Sequence, residues 1–168
     1  KNYWAMKGLA LFLLVMMGGS VKSFADLYTT TIGSTIWNSF GAQTLSSVSW
    51  TAAATGGGFF GYDAIKGQQF GSSSSPVTEL SLTTSGISGT ITSVVVYTSG
   101  ATNIVGGLYV YVGGNAFNPS VVSLTSTNTA YTFTGSSTGA ITITWAQSSS
   151  KAIYLKQIDV TYSTPQSY

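Results

Sequence analysis

Between residues 78 and 162 apolar side chains recur at every second position, with Thr, Ser or Tyr between them. In 78–83, Leu80 and Leu82 share one face. In 90–98, Val94 and Val96 share one face, and Ile91, Val95 and Tyr97 fall on the other. Leu108, Val110 and Val112 alternate with Tyr109 and Tyr111 in 107–112. Tyr131 and Phe133 alternate with Thr132 and Thr134 in 130–134. Ile141, Ile143 and Trp145 alternate with Thr142 and Thr144 in 140–145. A period of two predicts strands, and Thr on the alternate face predicts sheets that are wet on one side. Weaker strands are predicted over 27–32, 48–53, 58–62, 68–70 and 121–124. The last strand, 152–162, changes register between Ile153/Leu155 and Ile158/Val160/Tyr162, which predicts a bulge near Lys156-Gln157. No segment after Ala25 has the spacing of a helix.

About ten short strands at intervals of about 8–12 residues predict an all-β domain, a jelly-roll-type antiparallel β-sandwich. The unequal loop lengths suit Greek-key crossovers better than an up-and-down barrel. The mature composition, rich in Ser, Thr and Gly, separates this domain from a disordered chain only through its β-branched and aromatic runs. The pattern before residue 26 differs. Met6-Lys7 opens a short apolar run that ends in Ser23-Phe24-Ala25, the layout of a secretory leader cleaved before Asp26. The run is about half the length of a membrane span. The expected organisation is upstream residues 1–5, a signal peptide over 6–25, a β-sandwich over 26–164 and a tail over 165–168. The expected localisation is secreted or cell-surface.

Without the leader, Lys66, Lys151 and Lys156 stand against Asp26, Asp63, Glu79 and Asp159, a net charge of about −1, and the chain has no Arg. Nucleic-acid binding, which needs clustered cations to displace counterions, is excluded as an expectation. No His and no Cys occur. That removes a Ser-His-Asp triad, a thiolate nucleophile and His- or Cys-ligated zinc. Asp63 with Asp159 is the one carboxylate pair considered for glycoside hydrolysis. The expectation is a protein that is not an enzyme. Gly56-Gly57-Gly58 lacks the Lys and helix of a phosphate loop, and Gly113-Gly114-Asn115 reads as a turn.

The order Lys66-Gly67-Gln68-Gln69-Phe70-Gly71-Ser72-Ser73, Val77-Thr78-Glu79-Leu80-Ser81-Leu82, Gly89-Thr90-Ile91-Thr92-Ser93-Val94-Val95-Val96, Val110-Tyr111-Val112-Gly113-Gly114 and Ala152-Ile153-Tyr154-Leu155-Lys156-Gln157-Ile158-Asp159-Val160-Thr161-Tyr162 resembles the jelly-roll modules of secreted surface proteins from anaerobic gut bacteria. These are similar to galactose-binding-like and carbohydrate-binding domains. The resemblance implies export and the sandwich fold. It also implies a calcium ion, for which Asp63 or Asp159 would supply an oxygen ligand.

Two functions follow. A non-catalytic carbohydrate-binding or adhesion module would use Tyr97, Tyr109 and Tyr111 as its platform, if a hairpin after Thr98 sets them on one face, with Gln68 and Gln69 as its rim. Aromatic faces stack on the C–H faces of sugars, and amides pair with hydroxyls. The same tyrosines are also ordinary strand residues. The alternative is a structural subunit of a fibre, layer or matrix, associating through sheet edges that carry few lysines. The partner is accordingly a glycan, a surface protein or a second copy of the chain. A glycoside-active enzyme is the remaining reading.

Overall fold

The computed structural model describes residues 23–165, and those residues form strands, turns and loops without a helix. Thirteen strands run in the order β1 (Ser23–Thr31), β2 (Gly41–Leu45), β3 (Val48–Gly56), β4 (Phe60–Asp63), β5 (Gly67–Phe70), β6 (Val77–Thr84), β7 (Thr90–Gly100), β8 (Gly106–Val112), β9 (Asn115–Ala116), β10 (Val122–Ser123), β11 (Thr129–Ser137), β12 (Ile141–Lys151) and β13 (Ile153–Pro165). One sheet has the order β11-β7-β13-β5-β4, with β1 also on β13. The second has the order β10-β8-β12-β6-β3-β2, with β9 also on β8. Every pairing is antiparallel. From β5 to β8, and again from β11 to β13, each strand lies in the opposite sheet from its predecessor. The all-β antiparallel sandwich expected from the alternation is therefore the observed fold.

The leader assigned to 6–25 lies outside the described residues except for its last three. Ser23, Phe24 and Ala25 pair with Pro165, Thr164 and Ser163 as the start of β1. The tail from 166 onward is likewise outside them.

The alternating apolar residues meet between the sheets. Leu80 and Leu82, Val94 and Val96, Leu108, Val110 and Val112, Phe133, and Ile141, Ile143 and Trp145 are all buried. Full burial of one such side chain contributes about 1.5–3 kcal/mol relative to exposure. The predicted bulge is present: β13 slips against β7 between Leu155 and Gln157, so Ile153/Leu155 and Ile158/Val160 all point inward. A second irregularity corrects the expected face of Ile91. The registers of β7 against both β11 and β13 shift between Ile91 and Ser93, which turns Ile91 into the core. Thr144, expected on the wet face, is buried because Tyr109 and Ser81 flank it across the two neighbouring strands.

The two sheets are joined by hydrogen bonds as well as by packing. Trp145 Nε1 donates to Thr98 Oγ1 at 2.9 Å. Trp50 Nε1 donates to Tyr28 Oη at 3.0 Å, and that hydroxyl donates to the Leu45 carbonyl at 2.7 Å. Each buried polar tip thus has a partner, which removes a desolvation cost of about 1–3 kcal/mol. Within β12, residues 147–150 form a wide bulge against β6. The buried Gln147 amide closes it, donating to the carbonyls of Val77 and Lys151.

Candidate functional site

Tyr97 and the pair Tyr109/Tyr111 lie on different sheets. The expected hairpin does not form: β7 belongs to the first sheet and β8 to the second. Tyr97, flanked by inward Val96 and Thr98, points to the outer face of the first sheet. Tyr109 and Tyr111, flanked by inward Leu108, Val110 and Val112, point to the outer face of the second. The three-tyrosine platform is thereby reduced to two rings.

Those two rings touch edge to face, with centroids 5.9 Å apart and planes at 88°. One flat ring is therefore available beside one ring edge. Tyr111 is 39% exposed. Its neighbours follow from register. Tyr111 pairs with Thr142, Thr142 with Thr83, and Thr83 with Thr51, so four outward side chains line up across β8, β12, β6 and β3. At about 4.8 Å per strand this row is about 14 Å long. A shallow depression of about 460 Å³ opens at its far end, lined by Ser49, Thr51, Thr83, Thr84 and Ser85. Its floor is held by Thr84 Oγ1, which donates to Ser49 O at 2.7 Å and accepts from Gly86 N at 3.0 Å. The result is a strip of hydroxyls ending in an aromatic ring, with Glu79 as an outward charge on β6 two rows further on. The threonines were not singled out from the sequence. Their signal was present, since each occupies the position opposite a core residue of its own strand.

A larger groove of about 530 Å³ lies between Ile104, Val105 and Leu124 and the β12 bulge. Its lining is no more apolar than that of the depression. The amide nitrogen of Gln147 on its wall is spent on closing the bulge, while the buried Gln147 Oε1 has no protein partner among the described residues.

Gln68 is not a rim residue. It is fully buried in β5, where its Oε1 accepts from the backbone N–H groups of Ile36 and Trp37 at 2.7 and 3.0 Å, and its Nε2 donates to the carbonyls of Trp37 and Gly61. The amide fastens the 36–37 loop over the sheet. Gln69, next in the strand, points outward, with Nε2 on the Gly71 carbonyl at 2.9 Å.

The two aspartates do not converge. Asp63 closes the β4–β5 turn, its Oδ1 accepting from Ile65 N and Lys66 N, both at 2.8 Å. These two bonds, helped by the ammonium groups of Lys66 and Lys156, hold its carboxyl below the usual carboxylate range. Asp159 lies on β13, where its Oδ1 accepts from the Thr29 hydroxyl and both of its carboxylate oxygens accept from Gln157 Nε2. Each carboxylate faces donors, and Asp63 sits beside two cations. Neither environment fits calcium, which needs converging oxygens. Among the described residues no three Asp, Glu, His or Cys side chains gather where a metal ion would be held.

Around Asp63 a second aromatic cluster appears that was not read from the sequence. Lys66 Nζ lies 4.9 Å from the Tyr154 ring centroid, and Lys156 Nζ 5.6 Å from that of Tyr62. Burial, and then the charge of Asp63, push the Tyr154 hydroxyl to a higher pKa. Phe59, 44% exposed, lies across Gly61.

No protein-family model matches this chain, and no curated protein does. Among solved structures, the crystal structure of dimeric latent PorU from Porphyromonas gingivalis is similar over 90% of this chain and 14% of that one. The identity is 10% and the TM-score 0.32. The chain therefore spans about one seventh of the length of that protein.

Proposed function

We propose that this protein is a non-catalytic, exported carbohydrate-binding module that holds a neutral glycan on the outer face of its second sheet. The observation that carries the reading is the in-register row Tyr111–Thr142–Thr83–Thr51, which leads into a shallow depression beside Ser49 and Ser85. A sugar ring stacks its C–H face on Tyr111, while threonine hydroxyls donate to and accept from the hydroxyls of the following residues. Side chains on paired strands are pre-positioned, so little ordering entropy is lost on binding. The single exposed ring suits one stacked sugar. Export rests on the leader pattern of residues 6–25. The test is affinity electrophoresis of the full chain through gels containing neutral polysaccharides. Tyr111→Ala loses at least about tenfold in retention, about 1.4 kcal/mol, at an unchanged melting temperature. Retention unaffected by Tyr111→Ala and Thr142→Ala overturns the reading.

A second reading, a structural subunit, is favoured by the edges of the first sheet. β1 and β11 are each nine residues long, contain no lysine, and stand on opposite edges. Their directions are opposed through β13 and β7, so a copy added edge to edge in the same orientation continues the antiparallel alternation. The Asn118 bridge occupies one position of the β11 edge, at Thr134. Concentration-dependent growth in light scattering, lost with Thr132→Lys, distinguishes this reading from glycan binding.

A further inference from the structure

We infer that the β4–β5 hairpin and the start of β13 form a second, separate saccharide site, specific for a uronate-containing polysaccharide. Gly61, Gln69 and Tyr154 are consecutive register partners across β4, β5 and β13. They point outward, because Gln68, Phe70, Ile153 and Leu155 between them point in. Gly61 has no side chain, and the Phe59 ring fills that space. A Cβ built on Gly61 would meet Phe59 Cε1 at 3.0 Å and Gln69 Oε1 at 3.4 Å. Ring and amide oxygen therefore sit side by side on the sheet surface. Two strands further on, about 10 Å away, Lys66 Nζ rests over the Tyr154 ring and donates to no acceptor among the described residues.

An exposed ring, an amide whose nitrogen is anchored on Gly71 O, and an ammonium with unused donors thus lie along one line. The ring takes the C–H face of a pyranose, the amide oxygen takes a hydroxyl, and the ammonium takes a carboxylate. Lys66 in this hairpin and Lys156 on β13 lie near one another: Lys156 Nζ donates to Ala64 O in the β4–β5 turn at 2.9 Å, and both ammonium groups act on Asp63. Asp63 is the one carboxylate beside them. Its Oδ1 is turned toward the backbone N–H groups of Ile65 and Lys66. The patch is net positive, whereas the other described residues carry Lys151 against Asp26, Glu79 and Asp159, which favours an anionic ligand here. The flat ring beside an amide favours a sugar acid over an acidic peptide.

The experiment is affinity electrophoresis of the full chain through gels containing polygalacturonate, a neutral galactan, or polyglutamate. Polygalacturonate is expected to retard the chain, less so as salt rises. Lys66→Gln weakens that retention about tenfold, the worth of one charge-assisted hydrogen bond. Phe59→Ala weakens it comparably. Both side chains lie on the surface, so both variants melt as the parent does. Tyr111→Ala leaves this retention unchanged, so failure here and failure of the neutral-glycan site are read separately. No retardation in polygalacturonate, retention that Lys66→Gln leaves intact, equal retention in neutral galactan, or equal retention in polyglutamate would each overturn the assignment.

Discussion

Trp145 donates its indole N–H to the hydroxyl of Thr98 across the sandwich, and that hydroxyl in turn donates a hydrogen bond to the carbonyl of Tyr154. One threonine thus ties the centre of the second sheet to two strands of the first. Thr98→Val removes the acceptor and leaves a buried indole N–H unpaired. A loss of about 1–3 kcal/mol in urea unfolding is expected. Thr98→Ser retains the hydroxyl and recovers most of that loss.

On β12, Ile143 is fully buried while Thr142 faces out. Ile143→Ala should cost about 2–5 kcal/mol, and Thr142→Ala within about 0.5 kcal/mol. Equal costs in thermal or urea unfolding would mean that the strand is rotated relative to the structure.

Gln68→Ala separates a rim from a buried support. It strips the acceptor from two backbone N–H groups, those of Ile36 and Trp37. A fall in stability of several kcal/mol is expected, at about 1–3 kcal/mol for each unpaired group. Unchanged stability with weakened glycan retention would restore Gln68 to the rim.

The β2–β3 hairpin turns on Ser46 and Ser47, both at positive φ (45° and 72°), between the paired Leu45 and Val48. A two-residue turn of this kind prefers Asn-Gly. Left-handed backbone costs an ordinary residue about 1–2 kcal/mol. Replacing the pair by Ser46→Asn with Ser47→Gly should therefore raise stability by about 1 kcal/mol or more, measured as a higher urea midpoint with an unchanged slope.

Alkaline pH should unfold the protein partly through Tyr28. Burial raises its hydroxyl pKa against the smaller lowering effects of Trp50 and Thr30. At pH values below the ordinary tyrosine pKa of about 10 both folded and unfolded chains are neutral there, and the contribution is complete. As pH rises through that value the unfolded chain ionises first, and stability falls. Tyr28→Phe makes this fall shallower; Tyr154, whose hydroxyl pKa burial also raises, acts in the same direction as Tyr28. The substitution also lowers stability at neutral pH, because Trp50 and Leu45 lose their partner. At the acid end the sign reverses. Asp63 stabilises the fold above its unfolded pKa, and that contribution disappears as pH falls through its lower folded value.

Much of the sandwich was legible because both sheets have one wet face. Wherever Leu, Val or Ile alternated with Thr or Tyr, as in β6, β8 and β12, the inward face followed directly. The bulge at Lys156-Gln157 showed as a change of parity. β2 was not legible, because Gly41-Ala42-Gln43-Thr44-Leu45 has little alternation and Ser46-Ser47 is a weak turn signal. Sheet membership was not legible either. Alternation fixes which side of a strand faces the core, not which strands lie beside it, so the sequence groups Tyr97 with Tyr109 although they lie on different sheets. Gln68 was misread because its partners lie 31 residues away in sequence, in a loop with no periodic signal. The Phe59–Gln69–Lys66 cluster needed the β4–β5–β13 pairing before its members became neighbours.

β13 pairs with β7, β5 and β1, so the centre of the first sheet is its last strand. A ribosome delivers that strand only after the twelve others, and until then β1, β5 and β7 have no common partner. Its pairing with β1 joins residues more than 120 positions apart, as between Thr31 and Gln157. Such distant contacts make folding slow, and they make it a single late event. A chain lacking β13 leaves β1, β5 and β7 without their shared partner, on the ribosome and during export alike. Timing, as much as stability, is therefore set by where in the chain this one strand is encoded.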